Sequence, residues 1–358
     1  MRKLPALFAA ACFFCLVILG SEGIRAQSKR GVTPEDYLSF KFVGDPHISP
    51  DGKVVAYVLT VIDQKKNRRE SSIWVVPADG SAAPRRLSAE GYSSNSPRWS
   101  PDGKTLAILS ARSVDLPAGE TPKSQIYLLS IAGGGEAIAL TKLKNGVQNY
   151  QWSPEGSRIV VVSTSGPMDG VATADRKSDV RHYTHIQYKF NDSGWFDDKR
   201  RHLWVVSVPG GEAKQITDGQ DWNDTDPQWS PDGTRIAFVS DRTGKAYDDS
   251  HNTDVWVIPA AGGTLTKISD HAFEDENPRW SPDGKQILFT GQTAVHQFPK
   301  LYIADSAGGA ASQLAVRIST TSQGNCAGPR LVRSFLRLAL RAKHIFFARI
   351  WLHAFLRR

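Results

Sequence analysis

Pro227-Gln228-Trp229-Ser230-Pro231-Asp232-Gly233, followed by the apolar run Ile236–Val239, reads as a strand, a tight corner and a second strand. Proline presets φ for the second position of a turn, Asp tolerates the third, and Gly accepts the positive φ that closes the hairpin. The same corner recurs. Ser-Pro-Asp-Gly begins at Ser49, Ser100, Ser230 and Ser281, and Ser-Pro-Glu-Gly at Ser153, with spacings of 51, 53, 77 and 51 residues. A Pro-x-Trp-Ser stretch enters the corner at Pro97, Pro227 and Pro278, whereas the first copy has Ile48 where the others carry Trp.

Working outward from each corner gives one repeated order of events. An apolar run follows it: Val54–Leu59, Leu106–Leu109, Ile159–Val162, Ile236–Val239 and Ile287–Phe289. After a loop comes a second run whose second residue is aromatic: Trp74, Tyr127, Trp204, Trp256 and Tyr302. A Gly-rich turn and a short run such as Gln215-Ile216-Thr217 complete the unit. Short runs rich in Val, Ile, Trp and Tyr favour strands. Four such strands per unit of about 50 residues is the arithmetic of a propeller blade. The predicted fold is therefore all-β, a β-propeller with WD40-like or Tol-type repeats, about five blades recognisable and the ring not necessarily complete. A generic sandwich would show neither a fixed period nor a repeated corner. The repeated Trp residues read as blade packing.

The interval from Ser153 to Ser230 is about 25 residues longer than its neighbours, and the excess lies within Thr164–Arg201. Insertions between strands often carry contacts, though one can equally pad the rim. His182 and His185 lie three apart in it, which on a strand points them to opposite sides and assigns no metal site. Asp221–Asp226, and Asp248-Asp249 with Asp254, are oxygen-rich but lack the glycine and distal glutamate of a calcium loop, and read as solvated loops. No Gly-rich loop opens a helix, so nothing supports phosphate or dinucleotide binding. No catalytic, cofactor-binding or metal-ligating residue is assigned.

The chain of 358 residues carries 44 Lys or Arg against 36 Asp or Glu, a net charge of +8. Nine of the basic residues and none of the acidic ones fall after Leu314, so the body is balanced and offers no basic face for nucleic acid. Three organisational segments are expected: residues 1–26 as a secretory signal, 33–314 as the propeller, and 315–358 as a basic tail foreign to the repeat. Arg2 and Lys3 precede the short apolar stretch Leu7–Leu19, which ends near Ile24-Arg25-Ala26, and the body holds no cysteine. Export to the periplasm or beyond is the implied destination. In the tail, Arg333, Arg337 and Arg341 fall at helical spacing beside Leu336, Leu340 and Trp351. This suits either an anionic membrane surface or a shifted reading frame.

Three stretches resemble the propeller of bacterial prolyl-oligopeptidase-family serine peptidases, in the acylaminoacyl-peptidase and dipeptidyl-aminopeptidase branch. They are Thr33–Tyr37 through Val43–Pro46 and Ser49–Gly52; Asp179-Val180-Arg181 with Tyr188-Lys189-Phe190, Asp197-Asp198 and Leu203–Val206; and Ser240-Asp241-Arg242 before Asp254–Pro259. The resemblance implies a propeller that caps an α/β-hydrolase domain and limits access to short peptides and acyl-peptides, with the catalytic triad in the hydrolase. No G-x-S-x-G elbow occurs; the nearest fragment, Gly91-Tyr92-Ser93-Ser94-Asn95, lacks the closing Gly. The expectation is a non-catalytic gating or interaction propeller, inactive alone, its partners being peptides or a hydrolase domain across the propeller face. The alternative is a self-sufficient periplasmic protein-binding propeller of the Tol-associated type, since that system shares the Ser-Pro-Asp-Gly repeat.

Overall fold

The structure, a computed structural model, describes residues 30–112, 121–131, 136–170, 188–190, 194–195, 199–243, 252–294 and 297–314. The chain divides into two compact units, Met1–Phe40 and Lys41–Arg358. In the first, the short helix α1 (Pro34–Leu38) starts with proline at its first turn, and Asp36 accepts the Thr33 N–H at 2.9 Å.

The second unit is built from five four-stranded antiparallel sheets. The first holds β1 (Phe42–Ile48), β2 (Val54–Asp63), β3 (Arg68–Pro77) and β4 (Arg85–Arg86). The second holds β5 (Ser94–Trp99), β6 (Thr105–Ser110), β7 (Gln125–Ser130) and β8 (Ile138–Ala139). The third is β9 (Asn149–Trp152), β10 (Arg158–Ser165), β13 (Arg200–Ser207) and β14 (Ala213–Gln215), interrupted by the small hairpin β11 (Lys189–Phe190) and β12 (Gly194–Trp195). The fourth is β15 (Asp224–Trp229), β16 (Arg235–Ser240), β17 (Asp254–Pro259) and β18 (Thr266–Lys267). The fifth is β19 (Asp275–Trp280), β20 (Gln286–Gly291), β21 (Lys300–Asp305) and β22 (Ser312–Gln313). Each sheet is a meander of sequence neighbours, the propeller blade expected from the repeat. Among the described residues, the hairpin outside the blades lies in the insertion.

The cores lie between blades, and this explains why the strands do not alternate. Ile159 and Val161 of β10 join Ala107, Leu109 and Ile126 of the second blade, while Val160 and Val162 join Ile236 and Phe238 of the fourth. Leu106 and Ile108 face the first blade in the same manner. Successive side chains of a strand point to opposite faces, so a strand with blades on both sides must be apolar throughout. There are four such clusters, one for each junction between consecutive blades. Among the described residues, none of the extensive strand contacts joins the first blade to the fifth.

The corners are built alike. At Ser230, the hydroxyl donates to Asp232 at 2.5 Å and accepts the Arg235 N–H at 2.9 Å, and Gly233 lies at φ 68°. Ser49, Ser100 and Ser281 repeat these bonds with Asp51, Asp102 and Asp283. The bonds hold all four carboxyls below the usual range, Asp232 at about 2, chiefly through the serine hydroxyl. In the third corner Glu155 is one carbon longer. It takes the Arg158 Nε at 2.8 Å, and Ser153 bonds the Arg158 backbone instead.

The tryptophans staple one blade to the next. Each indole N–H donates to the carbonyl of the residue one before the matching position in the preceding blade. The pairs are Trp99 to His47 (2.9 Å), Trp152 to Arg98 (3.2 Å), Trp229 to Gln151 (3.1 Å) and Trp280 to Gln228 (3.0 Å). Ile48 occupies this place in the first blade. The proline two residues before this Trp or Ile position also has a reason. In β1, β5, β15 and β19 it follows a bulge whose leading residue, Asp45, Ser96, Asp226 or Asn277, has positive φ, and proline has no N–H to leave unpaired there. β9 has no such proline and no register shift.

Candidate functional site

At the end of the blades away from the corners, β10 runs out into Gly166 and the 3-10 turn Pro167–Gly170. The Asp169 carboxylate closes that turn by accepting the Gly166 N–H at 3.0 Å, and it ties in the loop before β9 through the Asn145 amide at 2.8 Å. Lys144 donates to the Asp169 carbonyl. These bonds fix one wall of a cleft of about 740 Å³.

The opposite wall is the segment from Asp218 to Trp222, which links β14 to β15. Gly219 sits at φ +132°, and a Cβ there would lie 2.3 Å from the Trp222 ring, so only glycine lets the indole fold back over the chain. The Trp222 N–H donates to the Asp218 carbonyl at 2.8 Å. The Arg242 guanidinium lies 4.7 Å from the Trp222 ring centre and holds the wall from behind.

The floor comes from β13 and β14. His202 is buried, with Nε2 3.0 Å from the Gly219 carbonyl and Nδ1 3.2 Å from Asp224. Both ring nitrogens thus face oxygen atoms of the fold. Asp224 is fully buried and also takes Arg242 at 2.7 Å, so the three side chains form one connected group. Gln215 spans Ser165 Oγ (3.2 Å) and the Thr217 carbonyl (2.8 Å). Beside them, the Trp204 indole N–H is buried and makes no hydrogen bond. At the same place in the first and fourth blades, Trp74 donates to Ser72 Oγ (3.0 Å) and Trp256 to the Ser240 carbonyl (3.2 Å). Blade three has His202 where blade one has Ser72, and His202 is already committed.

The hydroxyls and the imidazole of the cleft are bonded to their own surroundings and not to one another. Ser163 donates to the Gly146 carbonyl, Ser165 is bonded to Gln215, and His202 reaches neither. Ser93 and Ser94, in the fragment nearest to a nucleophile elbow, bond the Ser71 N–H and Ser110 respectively, and belong to the start of the second blade. Among the described residues no three His, Cys, Asp or Glu side chains form a metal-holding group.

The oxygen-rich segment at 221–226 differs from a solvated loop. Asp224 is inside the fold with Arg242 and His202, while Asp226 lies 3.7 Å from Arg279 of the next blade. Asp254 is buried as well; burial pushes its carboxyl up to about 6 against the opposing pull of Lys267. His182, His185, Asp179–Arg181, Asp197, Asp198, Asp248 and Asp249 lie outside the described residues, as do the proposed signal and tail. Tyr188 is exposed. Neither His202 nor Trp204 stood out in the sequence. The available signal was the departure of residue 202 from the other blades at a matched position.

Four antiparallel strands per blade, stapled in series, define the class: a β-propeller. No family profile matches the chain. It is 33% identical over 236 residues to an uncharacterized peptidase, YuxL, of Bacillus subtilis, covering 64% of this chain and 34% of that protein. It is 26% identical over 334 residues to dipeptidyl-peptidase 5 of Porphyromonas gingivalis, covering 86% and 46%. The Tol-Pal protein TolB of Alcanivorax borkumensis is 33% identical across 64 residues, 18% of this chain. Among solved structures, an acylaminoacyl peptidase superposes with a TM-score of 0.58 over 76% of this chain and 39% of that one, at 20% identity. The β-propeller domain of the Trilobed protease from Pyrococcus furiosus does so with 0.50 over 77% and 71%, at 18%. At those identities the structures speak for the fold. The chain matches the N-terminal propeller of prolyl-oligopeptidase-family serine peptidases. It spans between about a third and a half of the length of these curated relatives.

Proposed function

We propose that this chain is the non-catalytic, substrate-gating propeller of an exported prolyl-oligopeptidase-like serine peptidase, presenting short peptides or acyl-peptides to a hydrolase domain across the propeller face. The observation that carries the reading is the match of the repeated blades to peptidases over 236 residues, set beside a cleft whose Ser163, Ser165 and His202 are each held by structural bonds. The likeness to TolB covers one short stretch and favours no separate assembly role. Among the described residues no helix is long and apolar enough to cross a membrane. Export rests on the basic, then apolar opening of the sequence.

The test is direct. The purified chain should hydrolyse no dipeptide or acyl-peptide chromogenic substrate and take up no fluorophosphonate label. Labelling of any serine would overturn the non-catalytic part. Joined to the part of the Bacillus subtilis peptidase that this chain does not match, it should restrict cleavage to short peptides. Equal rates on short peptides and long unfolded chains would end the gating reading.

A further inference from the structure

We infer that the loop end of the second blade holds a carboxylate-binding site, in which Arg112 Nη1 and the Tyr92 and Tyr127 hydroxyls donate to a carboxylate of a bound peptide. The inference deepens the peptide-handling reading above and rests on it.

The Arg112 guanidinium lies over two rings, 4.2 Å from the centre of Tyr127 and 5.2 Å from that of Tyr92. Among the described residues it has neither an ion pair nor a hydrogen bond. Its Nε and Nη2 are closed off in this packing, which leaves Nη1 as the nitrogen open to a ligand. The two tyrosines are half-buried, and their hydroxyls are neither bonded nor closed off. Burial pushes the Tyr127 hydroxyl up against the pull of Arg112, so it stays a donor at neutral pH. The nearby acids are committed elsewhere. Glu90, two residues before Tyr92, faces Arg86 at 3.4 Å, and Glu70 of β3 takes Lys66 and Arg68.

The fourth blade shows what such an arginine is for. Ser110-Ala111-Arg112 and Ser240-Asp241-Arg242 end the second strand of their blades alike, and the strand register matches Ser94 to Asp224 and Tyr127 to Trp256. Arg242 also lies over rings at these places, Trp222 at 4.7 Å and Trp256 at 5.6 Å, and there it binds a carboxylate, that of Asp224, at 2.7 Å. The second blade keeps the framed arginine and lacks the acid. Ser94 stands in its place and bonds Ser110 Oγ at 3.2 Å. The buried side therefore offers Arg112 no anion, and a carboxylate can meet its charge only from the open side, through Nη1. The chemistry at hand is recognition alone: no covalent bond forms or breaks.

The experiment is calorimetric titration of the full chain with three N-acetylated alanine tetrapeptides: one with a free C-terminal carboxylate, one amidated, and one amidated and carrying a single glutamate. A carboxylate should tighten binding about tenfold over the neutral amide. A gain by the free acid alone, or by the glutamate peptide alone, supports the site and identifies the carboxylate as terminal or side-chain. Arg112→Gln should erase the gain and leave the amide unaffected. Ser94→Asp, which installs the fourth blade's acid, should erase it too. Tyr127→Phe keeps the ring, removes one open hydroxyl, and should lower the gain about threefold. Arg85→Gln, the same charge change at an exposed position of β4, should alter nothing. Equal affinity for the three peptides, or a carboxylate preference that survives Arg112→Gln, would overturn the site while leaving peptide handling elsewhere on the propeller intact. The absence of binding by any of the three up to millimolar concentration would overturn both.

Discussion

The two ends of the blades follow different rules. At the corner end, one design is copied five times: serine, proline, an acid and glycine, with the same hydroxyl bridge to the start of the second strand. Successive corners touch, since a Cβ at Gly103 or Gly156 would meet Pro50 or Pro101 of the previous corner at 3.3 Å. At the loop end four blades share one bond, a Ser or Thr hydroxyl (Ser88, Thr141, Thr217, Ser269) accepting an N–H of the third strand, and the residues around it differ from blade to blade. There sit the His202, Asp224 and Arg242 trio, the buried Asp254, the pairing of Asp275 with His271, and the unpaired Trp204 N–H. Repetition is strictest at the end that staples the blades in series, and the opposite end varies more.

The hardest test of this contrast breaks a staple at the corner end. Trp229 is 7% exposed, fills the junction between the third and fourth blades, donates to the Gln151 carbonyl, and is covered by the Arg158 guanidinium 4.8 Å from its ring. Trp229→Ala should cost about 3–5 kcal/mol in denaturant unfolding, the range for emptying a buried aromatic site. A loss below about 1 kcal/mol would mean that the blades do not depend on these staples.

Acid separates the two ends more gently, and with opposite signs. Asp254 has a folded value of about 6 against 3.8 when free, because burial penalises its charge; burial raises Asp275 and Glu276 as well. Between those values the folded chain holds a proton that the unfolded chain does not, so stability is present below about 3.8 and is lost as pH rises through 6. The corner acids run the other way. Asp232 is near 2, and its contribution is present above 3.8 and disappears as pH falls through 2. The melting temperature should therefore drop from pH 5 to pH 7, and Asp254→Asn should flatten that drop, with Lys267 still paired to Asp270. An unchanged slope in thermal scans would remove Asp254 as the source.

How far the sequence reveals the molecule follows the same division. The corners are legible because every partner lies within five residues: Ser230 meets Asp232 and Arg235. The propeller follows from counting them. The bulge at Asp45, Ser96, Asp226 and Asn277 was visible as a repeated proline, but its purpose depends on a strand register that no local reading supplies. Asp224 reads as a solvated loop residue because its partners, His202 and Arg242, lie 22 and 18 residues away on other strands. The cleft was illegible for a related reason. Trp204 looks like Trp74 in sequence, and what distinguishes it is a hydrogen bond that fails to form.

That failure allows the smallest and most discriminating comparison, between matched substitutions in the first and third blades. Trp74→Phe removes an N–H that donates to Ser72 Oγ, and should cost about 0.5–1.5 kcal/mol for the lost bond. Trp204→Phe removes an N–H that donates to nothing, so the gain from relieving a desolvated donor opposes the smaller ring's lost contacts. Its effect should fall within about 0.5 kcal/mol of zero, well short of its twin. Urea midpoints of the two variants measured side by side decide the matter. Equal losses would show that Trp204 has an internal partner after all, and the loop end of the third blade would then be as fully self-satisfied as the corners.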